Sequence, residues 1–469
     1  MSTLDFVDLD ALRATLASQP GAARLTSVDL GGVVLGEDAL STLPAQAAEL
    51  RDPRAGDVAV LMDRRPMTGP DGTELKQRVQ ELLGEAGAMR AVELGNADAD
   101  VHADPDTLAA AAAGVDGAAL LVTVGSGTLT DIGKHTSHRL GGLPHIVVQT
   151  AASVNGFADD QSVLVIEGVK RTTPSRWPDR LIIDTGVIAH APVAMNRAGL
   201  GDLLATYTAP ADWLLARFMG QDDSFSAAVV ALARDRVDAV LEHAAGIGRG
   251  DRPALKALAA ALTLSGISMG AAGRTAPGSG MEHTCSHLIE MTERGAGALH
   301  GAQVGVLSVF AACLWRRVRD AIAHGALSRL RFPDHAEMRA RVGAAFASAD
   351  PSGGMAAECW RDYRRKLERH HGLADRVEEL VADWPRLDAG VERLLGAPER
   401  LSGALAAAGA PTRLGELGIE PERARWALAN CHLMRDRFTI ADLAFLLGLW
   451  DADGVDAVVE MAERAGAGV

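Results

Sequence analysis

Short, almost continuously apolar runs alternate with segments rich in alanine, leucine and glutamate between residues 25 and 190. Apolar runs that end at Gly, Asp or Thr are typical of strands in a parallel sheet that has helices on both faces. The pattern therefore predicts an α/β domain with a mostly parallel sheet over residues 1–195. The predicted strands are VAVLMD (58–63), MRAVEL (89–94), AALLVTVG (118–125), HIVVQT (145–150) and RLIIDT (180–185).

The strand pattern stops after about residue 193, and helical segments follow. Residues 196–469 are therefore predicted to form an all-helical domain, and two domains agree with the length of 469 residues. The predicted helices cover residues 224–246, 254–269, 300–323, 355–394 and 422–432.

Composition narrows the class of protein. With 48% hydrophobic and 23% charged residues, the chain resembles folded globular proteins. Its formal net charge of -15 argues against binding to nucleic acid or an anionic membrane, so an anionic substrate needs a local positive site. The four cysteines form no CxxC pair and the N-terminus lacks a signal-peptide pattern, so we expect reduced thiols and a cytoplasmic location.

A glycine-containing turn follows the third predicted strand, in LLVTVGSGTLTDIGK. Small residues at Gly125 and Gly127 let backbone N–H groups approach a pyrophosphate at the start of a helix. An ordinary tight turn between strand and helix gives the same pattern, so both interpretations stay open. Asp131 and Lys134 lie one helical turn apart, which is typical of a solvated helix surface.

Asp63 ends the strand VAVLMD, where a carboxylate can bind an adenine ribose or can cap a helix. Arg64 and Arg65 follow it and are suited to a 2′-phosphate. The sequence leaves NAD and NADP as alternatives.

Histidines are concentrated in GSGMEHTCSHLIEMTERGAGALHG. His283 and His287 are four residues apart, so a helix places both on one face, as two metal ligands or as one ligand and one substrate contact. For a lone pair of this kind, ordinary surface or core histidines are the better explanation. His300 and the carboxylate of Asp202 in GLGDLLA favour a metal site, because catalytic metals are often held by two histidines and one carboxylate.

Taken in order, these motifs resemble the sn-glycerol-1-phosphate dehydrogenase family, within the dehydroquinate synthase-like and iron-containing alcohol dehydrogenase-like enzymes. The resemblance spans residues 31–450. It rests on GGVVLGEDAL, VGSGTLTDIGK, VVQTAASVNGFA, IIDTGVIAHAP, GLGDLLATYTAPADW, GSGMEHTCSHLIEM, LHGAQVGVLS and MRDRFTIADLAFLLGLWD.

The resemblance implies a Rossmann-like first domain, an all-α second domain, and a cofactor and metal in the cleft between them. It implies that Asp202, His283 and His300 bind the metal, usually zinc, and that His287 faces the substrate. Nickel or ferrous iron also suits this ligand set. Further residues match cofactor-contacting positions of the family: Gly125, Ser126, Gly127, Thr128, Leu129, Thr150 and Ser153, with Asp159 where a small hydroxyl residue is common.

One position departs from the family. Members usually carry an acid that contacts the substrate after TAAS, where this chain has Asn155. An amide forms hydrogen bonds but supplies no negative charge. Lys134 and Arg274 are our candidates for binding a substrate phosphate, although a loop arginine such as Arg274 is as often a plain surface residue.

We therefore expect a metal-dependent NAD(P)-linked dehydrogenase that interconverts dihydroxyacetone phosphate and sn-glycerol 1-phosphate, assembled as a homo-oligomer. Asn155 keeps two alternatives open: a dehydrogenase for another polyol, aldehyde or phosphonate, and a sugar-phosphate cyclase that uses NAD transiently. A catalytically silent binding protein is a third alternative, but it has little reason to keep Asp202, His283 and His300 together.

Overall fold

The computed structural model describes residues 8–52, 56–166, 169–292 and 297–469. The chain divides into two compact units. The first contains Met1–Ile166, Lys170–Leu203 and Ala228–Thr275, and the second contains Glu167–Val169, Leu204–Ala227 and Ala276–Val469. The first unit thus includes a helical segment that the sequence pattern had assigned to the helical domain.

The central sheet of the first unit has six parallel strands in the order β1-β8-β5-β4-β2-β3. A separate two-stranded sheet pairs β6 with β7. The mostly parallel α/β sheet is confirmed, and all five predicted strands are present. The strands are β1 (Val33–Gly36), β2 (Val58–Asp63), β3 (Met89–Leu94), β4 (Leu120–Gly125), β5 (His145–Gln149), β6 (Gln161–Ile166), β7 (Val169–Pro174) and β8 (Arg180–Asp184).

Helices make up most of the remaining described chain. They are α1 (Leu9–Ala17), α2 (Leu43–Leu50), α3 (Leu75–Ala86), α4 (Pro105–Val115), α5 (Gly127–Arg139), α6 (Thr185–His190), α7 (Val193–Leu204), α8 (Ala209–Phe218), α9 (Ala227–Glu242), α10 (Ala244–Arg249), α11 (Arg252–Ala272), α12 (Met281–Thr292), α13 (His300–Ala323), α14 (His335–Phe346), α15 (Gly354–His370), α16 (Val377–Glu392), α17 (Pro398–Ala408), α18 (Pro421–Asn430), α19 (Ile440–Leu446) and α20 (Ala452–Arg464).

Both faces of the sheet are covered by apolar clusters. Val58 and Val60 of β2 pack in one cluster with side chains of α2 and α3, whereas Ala59 and Leu61 pack in the other with side chains of α4 and α5. Successive side chains of a strand point to opposite faces, so a continuous apolar run feeds both clusters. This burial explains why the strands could be recognised in the sequence.

The order of the strands creates a switch point between β2 and β4. The chain passes from β2 outward to β3 on one side, and from β4 outward to β5 on the other. In open parallel sheets, ligands bind outside the carboxyl ends of the strands at such a point. The fold therefore places the turn after β4 where a dinucleotide is normally held.

The helix α11 is the one described helix long and apolar enough to cross a membrane by length and composition. Most of its residues are buried in the structure, as in the core helix of a globular protein. Gly266 and Gly270 explain part of this packing, because a Cβ atom at these positions would collide with the backbone of Asn155 and with the ring of Trp177.

The described residues of the second unit after Ala276 form helices joined by turns and short extended stretches. The helix predicted at 300–323 matches α13. The helix predicted at 355–394 is divided, because a 3₁₀ segment at His371–Arg376 separates α15 from α16.

His145 makes the stability of the first unit depend on pH. The ring is fully buried in β5, its Nε2 atom lies 2.8 Å from Thr123 Oγ1, and burial lowers its pKa to about 3. Below pH 6.5 the imidazole of His145 is protonated in the unfolded chain but stays neutral in the folded chain. The free energy of unfolding therefore decreases as the pH falls from about 6.5 towards 3. This contribution makes the free energy of unfolding, measured by urea denaturation, decrease by about 1.4 kcal/mol per pH unit in this range, and His145→Gln should remove it. Equal pH dependence in both proteins would contradict this prediction.

Candidate active site

The glycine turn of the first unit connects β4 to α5 at the switch point of the sheet. Gly127 is the first residue of α5, and a Cβ atom there would lie 2.8 Å from a methyl group of Val154. Glycine thus allows a second loop to approach the start of the helix closely. The N–H groups at the N-terminus of α5 form a site suited to an anion such as pyrophosphate.

The second predicted cofactor-binding turn lies directly beside the first. The backbone N–H of Thr150 donates to the carbonyl oxygen of Gly125 over 3.1 Å, and both Thr150 and Ser153 are buried. The structure therefore brings together the two segments that the sequence analysis identified separately as cofactor-contacting, residues 125–129 and 150–153.

Asp63 lies at the carboxyl end of β2, next to the switch point. Its carboxylate accepts hydrogen bonds from Lys76 and from the backbone N–H of Arg65. It caps no helix, because the next helix, α3, is capped by Glu74. The capping interpretation is therefore wrong, and the position suits a ribose contact.

Lys134 and Asp159 form a buried ion pair instead of lining an exposed site. The ammonium of Lys134 has no exposed surface, and its three donors face Asp159 Oδ1 (2.5 Å), the carbonyl of Gly156 (2.7 Å) and the carbonyl of Gln161. Asp131 Oδ1 lies 3.4 Å away, and burial raises the pKa of this carboxyl to about 6. The expected solvated surface is wrong, and the contacts indicate a structural role for Lys134 in place of phosphate binding.

Asp202 lies on a face of α7 that is built to meet the loop after β5. Asn196, Gly199 and Asp202 are three residues apart and share this face. The N–H of Ala152 donates to Asn196 Oδ1 over 3.0 Å, and the N–H of Asn155 donates to Asp202 Oδ2 over 2.9 Å. Any side chain at Gly199 would collide with the carbonyl of Ala152. The loop thus fixes one oxygen of the Asp202 carboxylate.

Two further candidate substrate residues of the first unit, Asn155 and Arg274, differ in burial. Asn155 is buried, and its Nδ2 atom donates to Ser265 Oγ over 3.2 Å. Arg274 is exposed directly after the end of α11.

Three imidazoles gather in the second unit, as the sequence predicted from α12 and the start of α13. The ring centroids of His283 and His287 both lie 5.1 Å from that of His300, and 6.0 Å from each other. His287 and His300 stack with an interplanar angle of 20°.

Carboxylates hold two of the three rings through Nδ1. His283 Nδ1 lies 3.0 Å from Glu282 Oε1, and His300 Nδ1 lies 3.1 Å from Glu290 Oε1. A carboxylate behind an imidazole fixes the ring and raises the basicity of the opposite nitrogen, as in most metal-binding histidines. Nε2 of each ring is therefore the nitrogen suited to a metal ion.

The third imidazole, that of His287, contacts a positively charged side chain. Arg435 Nη2 lies 3.0 Å from His287 Nδ1. His287, Glu290 and His300 also place ligand atoms within 4.8 Å of one another. The cation behind His287 and the contact of Glu290 with His300 Nδ1 make this group a weaker ligand set than one built on His283 and His300.

Buried carboxylates support the start of α12. Glu282 is fully buried and accepts hydrogen bonds from Thr208 Oγ1 (2.9 Å) and from His283. Burial is the largest single effect and raises the pKa of Glu282, but the hydrogen bond and charge of His283 together with backbone hydrogen bonds outweigh it, so the pKa is lowered. Asp212 accepts from the N–H groups of Met281 and Ile440, and burial raises its pKa well above the ordinary value.

Sequence reasoning missed Glu290 and Arg435. Glu290 follows His283 by seven residues and His287 by three, so helical spacing could have placed it on the same face. Arg435 stands in RDRF, and two arginines in a loop of an acidic chain were the available signal.

Comparisons with known proteins agree with this arrangement. A family model described as iron-containing alcohol dehydrogenase matches residues 34–192. A glycerol-1-phosphate dehydrogenase of Geobacillus thermodenitrificans is 29% identical over 432 residues, which cover 91% of this chain and 95% of the relative. One of Bacillus velezensis is 30% identical over 323 residues, which cover 68% of each chain. The chain belongs to the glycerol-1-phosphate dehydrogenase family of iron-containing alcohol dehydrogenase-like enzymes.

Solved structures agree on the fold of this family member. A probable glycerol dehydrogenase from Sinorhizobium meliloti has a TM-score of 0.58 at 18% identity, with 92% of this chain and 96% of that chain covered. A glycerol dehydrogenase from Schizosaccharomyces pombe has a TM-score of 0.55 at 17% identity, with 92% and 90% covered. Membership of the family, and not the likeness of fold, makes the chain an oxidoreductase that acts on a CH–OH group. Homo-oligomeric assembly and a cytoplasmic location stay predictions.

Proposed function

We propose that the protein is a metal-dependent, NAD(P)-linked dehydrogenase that interconverts dihydroxyacetone phosphate and sn-glycerol 1-phosphate. The pattern of partners around the imidazoles carries this proposal: carboxylates lie behind His283 and His300, and a guanidinium lies behind His287. The relatives from Geobacillus and Bacillus are named as NAD(P)+ glycerol-1-phosphate dehydrogenases, which supports the cofactor and the substrate.

The cofactor is assigned to the first unit. The N–H groups of Gly125–Leu129 and the N-terminus of α5 bind the pyrophosphate, and the adjacent turn Thr150–Ser153 supports this loop through the hydrogen bond of Thr150. Asp63 binds the adenine ribose at the end of β2. Both NAD and NADP are proposed cofactors.

Asp202, His283 and His300 are the proposed ligands of one divalent ion. Two imidazoles and a carboxylate suit zinc, which we propose, and also nickel or ferrous iron. When bound, the ion acts as a Lewis acid on the C2 carbonyl of the substrate, and the reduced nicotinamide supplies hydride.

Other residues of the chain orient the substrate. His287 forms a hydrogen bond with the oxygen at C2, because its ring adjoins those of both proposed histidine ligands and its Nδ1 atom contacts Arg435. Asn155 binds a substrate hydroxyl through its amide, and Arg274 binds the phosphate.

A cofactor assay tests this function. Chelator-treated protein is reloaded with Zn²⁺, Ni²⁺ or Fe²⁺ and mixed with dihydroxyacetone phosphate and NADH or NADPH. We expect substrate-dependent loss of the reduced cofactor's absorbance, and much slower loss with dihydroxyacetone, which lacks the phosphate. Consumption of a sugar phosphate without net change in absorbance would indicate the cyclase. Reduction of other carbonyl compounds but not of dihydroxyacetone phosphate would indicate a different dehydrogenase.

A further inference from the structure

Arg435 is held firmly beside His287. It lies in the segment between Cys431–Leu433 and α19, and the ammonium of Lys366 binds this segment and the residues on either side of it. Lys366 donates to the carbonyl oxygens of His432 and Arg437 and forms an ion pair of 2.6 Å with Asp442. Both Lys366 and Asp442 are almost fully buried.

A second contact anchors the same segment to the residues before α12. Arg437 donates to the hydroxyl oxygen of Ser279 over 2.8 Å, and Ser279 precedes Met281, the first residue of α12. The backbone that carries Arg435 is thus tied to the helix that carries His287. These contacts therefore hold the guanidinium of Arg435 in place beside the imidazole of His287.

The direction of this hydrogen bond determines the tautomer of His287. A guanidinium carries only N–H donors and stays protonated in proteins, so Arg435 Nη2 can only donate. His287 Nδ1 must then accept with its lone pair, which leaves the ring proton on Nε2. The carboxylates beside His283 and His300 impose the reverse arrangement, with the proton on Nδ1 and the lone pair on Nε2.

We propose that Arg435 is a positioning residue that fixes the Nε2–H tautomer of His287, so that this ring offers an N–H donor to the substrate oxygen while its two neighbours offer lone pairs. The part that concerns the substrate rests on the proposed function. The tautomer itself follows from the contacts within the second unit. The three histidines thereby have two chemical roles. A negatively charged group at Nδ1 makes a ring a metal ligand, and a positively charged group at Nδ1 makes it a hydrogen-bond donor.

Nitrogen NMR of zinc-loaded protein with ¹⁵N-labelled histidine tests the tautomer directly. Comparison with His287→Gln identifies the signals of this ring. We expect a protonated Nε2 and a bare Nδ1 in the wild type and in Arg435→Lys, which keeps a donor. In Arg435→Met the two signals should move towards each other as the tautomers exchange. A proton on Nδ1 of the wild type, or identical spectra of the wild type and Arg435→Met, would overturn the proposal.

Kinetics test the consequence for the substrate. We expect kcat for dihydroxyacetone phosphate to fall about 10- to 100-fold in Arg435→Met, the range for outer partners of site histidines, with KM for the cofactor unchanged and partial recovery in Arg435→Lys. Arg425→Met removes an exposed arginine of α18, paired with Asp456, and should change neither readout. Unchanged kcat in Arg435→Met would overturn the positioning role. If the protein does not reduce dihydroxyacetone phosphate, the NMR result still decides the tautomer.

Discussion

Replacing His283 with alanine is expected to remove both the bound metal and turnover. The substitution deletes one of three proposed ligands and leaves the fully buried carboxylate of Glu282 without the imidazole it contacts. Because a bound Lewis acid contributes several kcal/mol of transition-state stabilisation, kcat/KM should fall at least about a thousandfold. Metal per chain after dialysis, measured by mass spectrometry, and cofactor absorbance in the dehydrogenase assay check the two losses separately.

Two further variants make this result specific. His324→Ala removes a histidine whose side chain is 78% exposed at the end of α13, and it should keep full metal content and activity. Glu282→Gln keeps the imidazole of His283 but removes the charge behind it, so metal affinity should weaken by about 10- to 100-fold. Full activity of His283→Ala in chelator-treated buffer would show that His283 is not a ligand.

The strands that the sequence predicted best are those whose side chains are buried on both faces of the sheet, because they appear as continuous apolar runs. The strands β2, β4, β5 and β8 are buried on both faces and appear as apolar runs. β1 was missed because four residues give too short a run, and β7 was missed because VKRTTP is polar. The division between α15 and α16 was also missed, since the 3₁₀ segment HGLADR contains no proline that would mark a break.

The site could be predicted only where its residues are neighbours along the chain. His283, His287 and Glu290 share one helix, so their spacing carries the information. Arg435 lies 148 residues from His287, and no local pattern links the two. The same limit caused the error at Lys134, because its partner Asp159 stands on a different segment and a lysine after a glycine turn looks like a phosphate ligand.

Replacing Lys134 with methionine should therefore lower the free energy of unfolding directly, and it should affect substrate binding only through this loss of stability. Methionine fills a similar volume but leaves Asp159 buried without its cation, with the Gly156 carbonyl also unsatisfied. Breaking a buried ion pair by removing one partner typically costs about 3 to 5 kcal/mol. Urea denaturation should show a loss of this size, and a Lys256→Met control on α11, where the side chain is partly exposed, should change the free energy of unfolding by less than about 0.5 kcal/mol.

The double variant Lys134→Met, Asp159→Leu separates structure from phosphate binding. Removing both charges replaces the pair with apolar groups but leaves Asp131 without its cation, so part of the lost stability should return, as when a buried ion pair is replaced by hydrophobic side chains. Because the ammonium is surrounded by protein oxygens, KM for dihydroxyacetone phosphate should return with the stability. A double variant that regains stability but keeps a strongly raised KM would instead assign Lys134 to the substrate. Wild-type stability of Lys134→Met would contradict the structural role altogether.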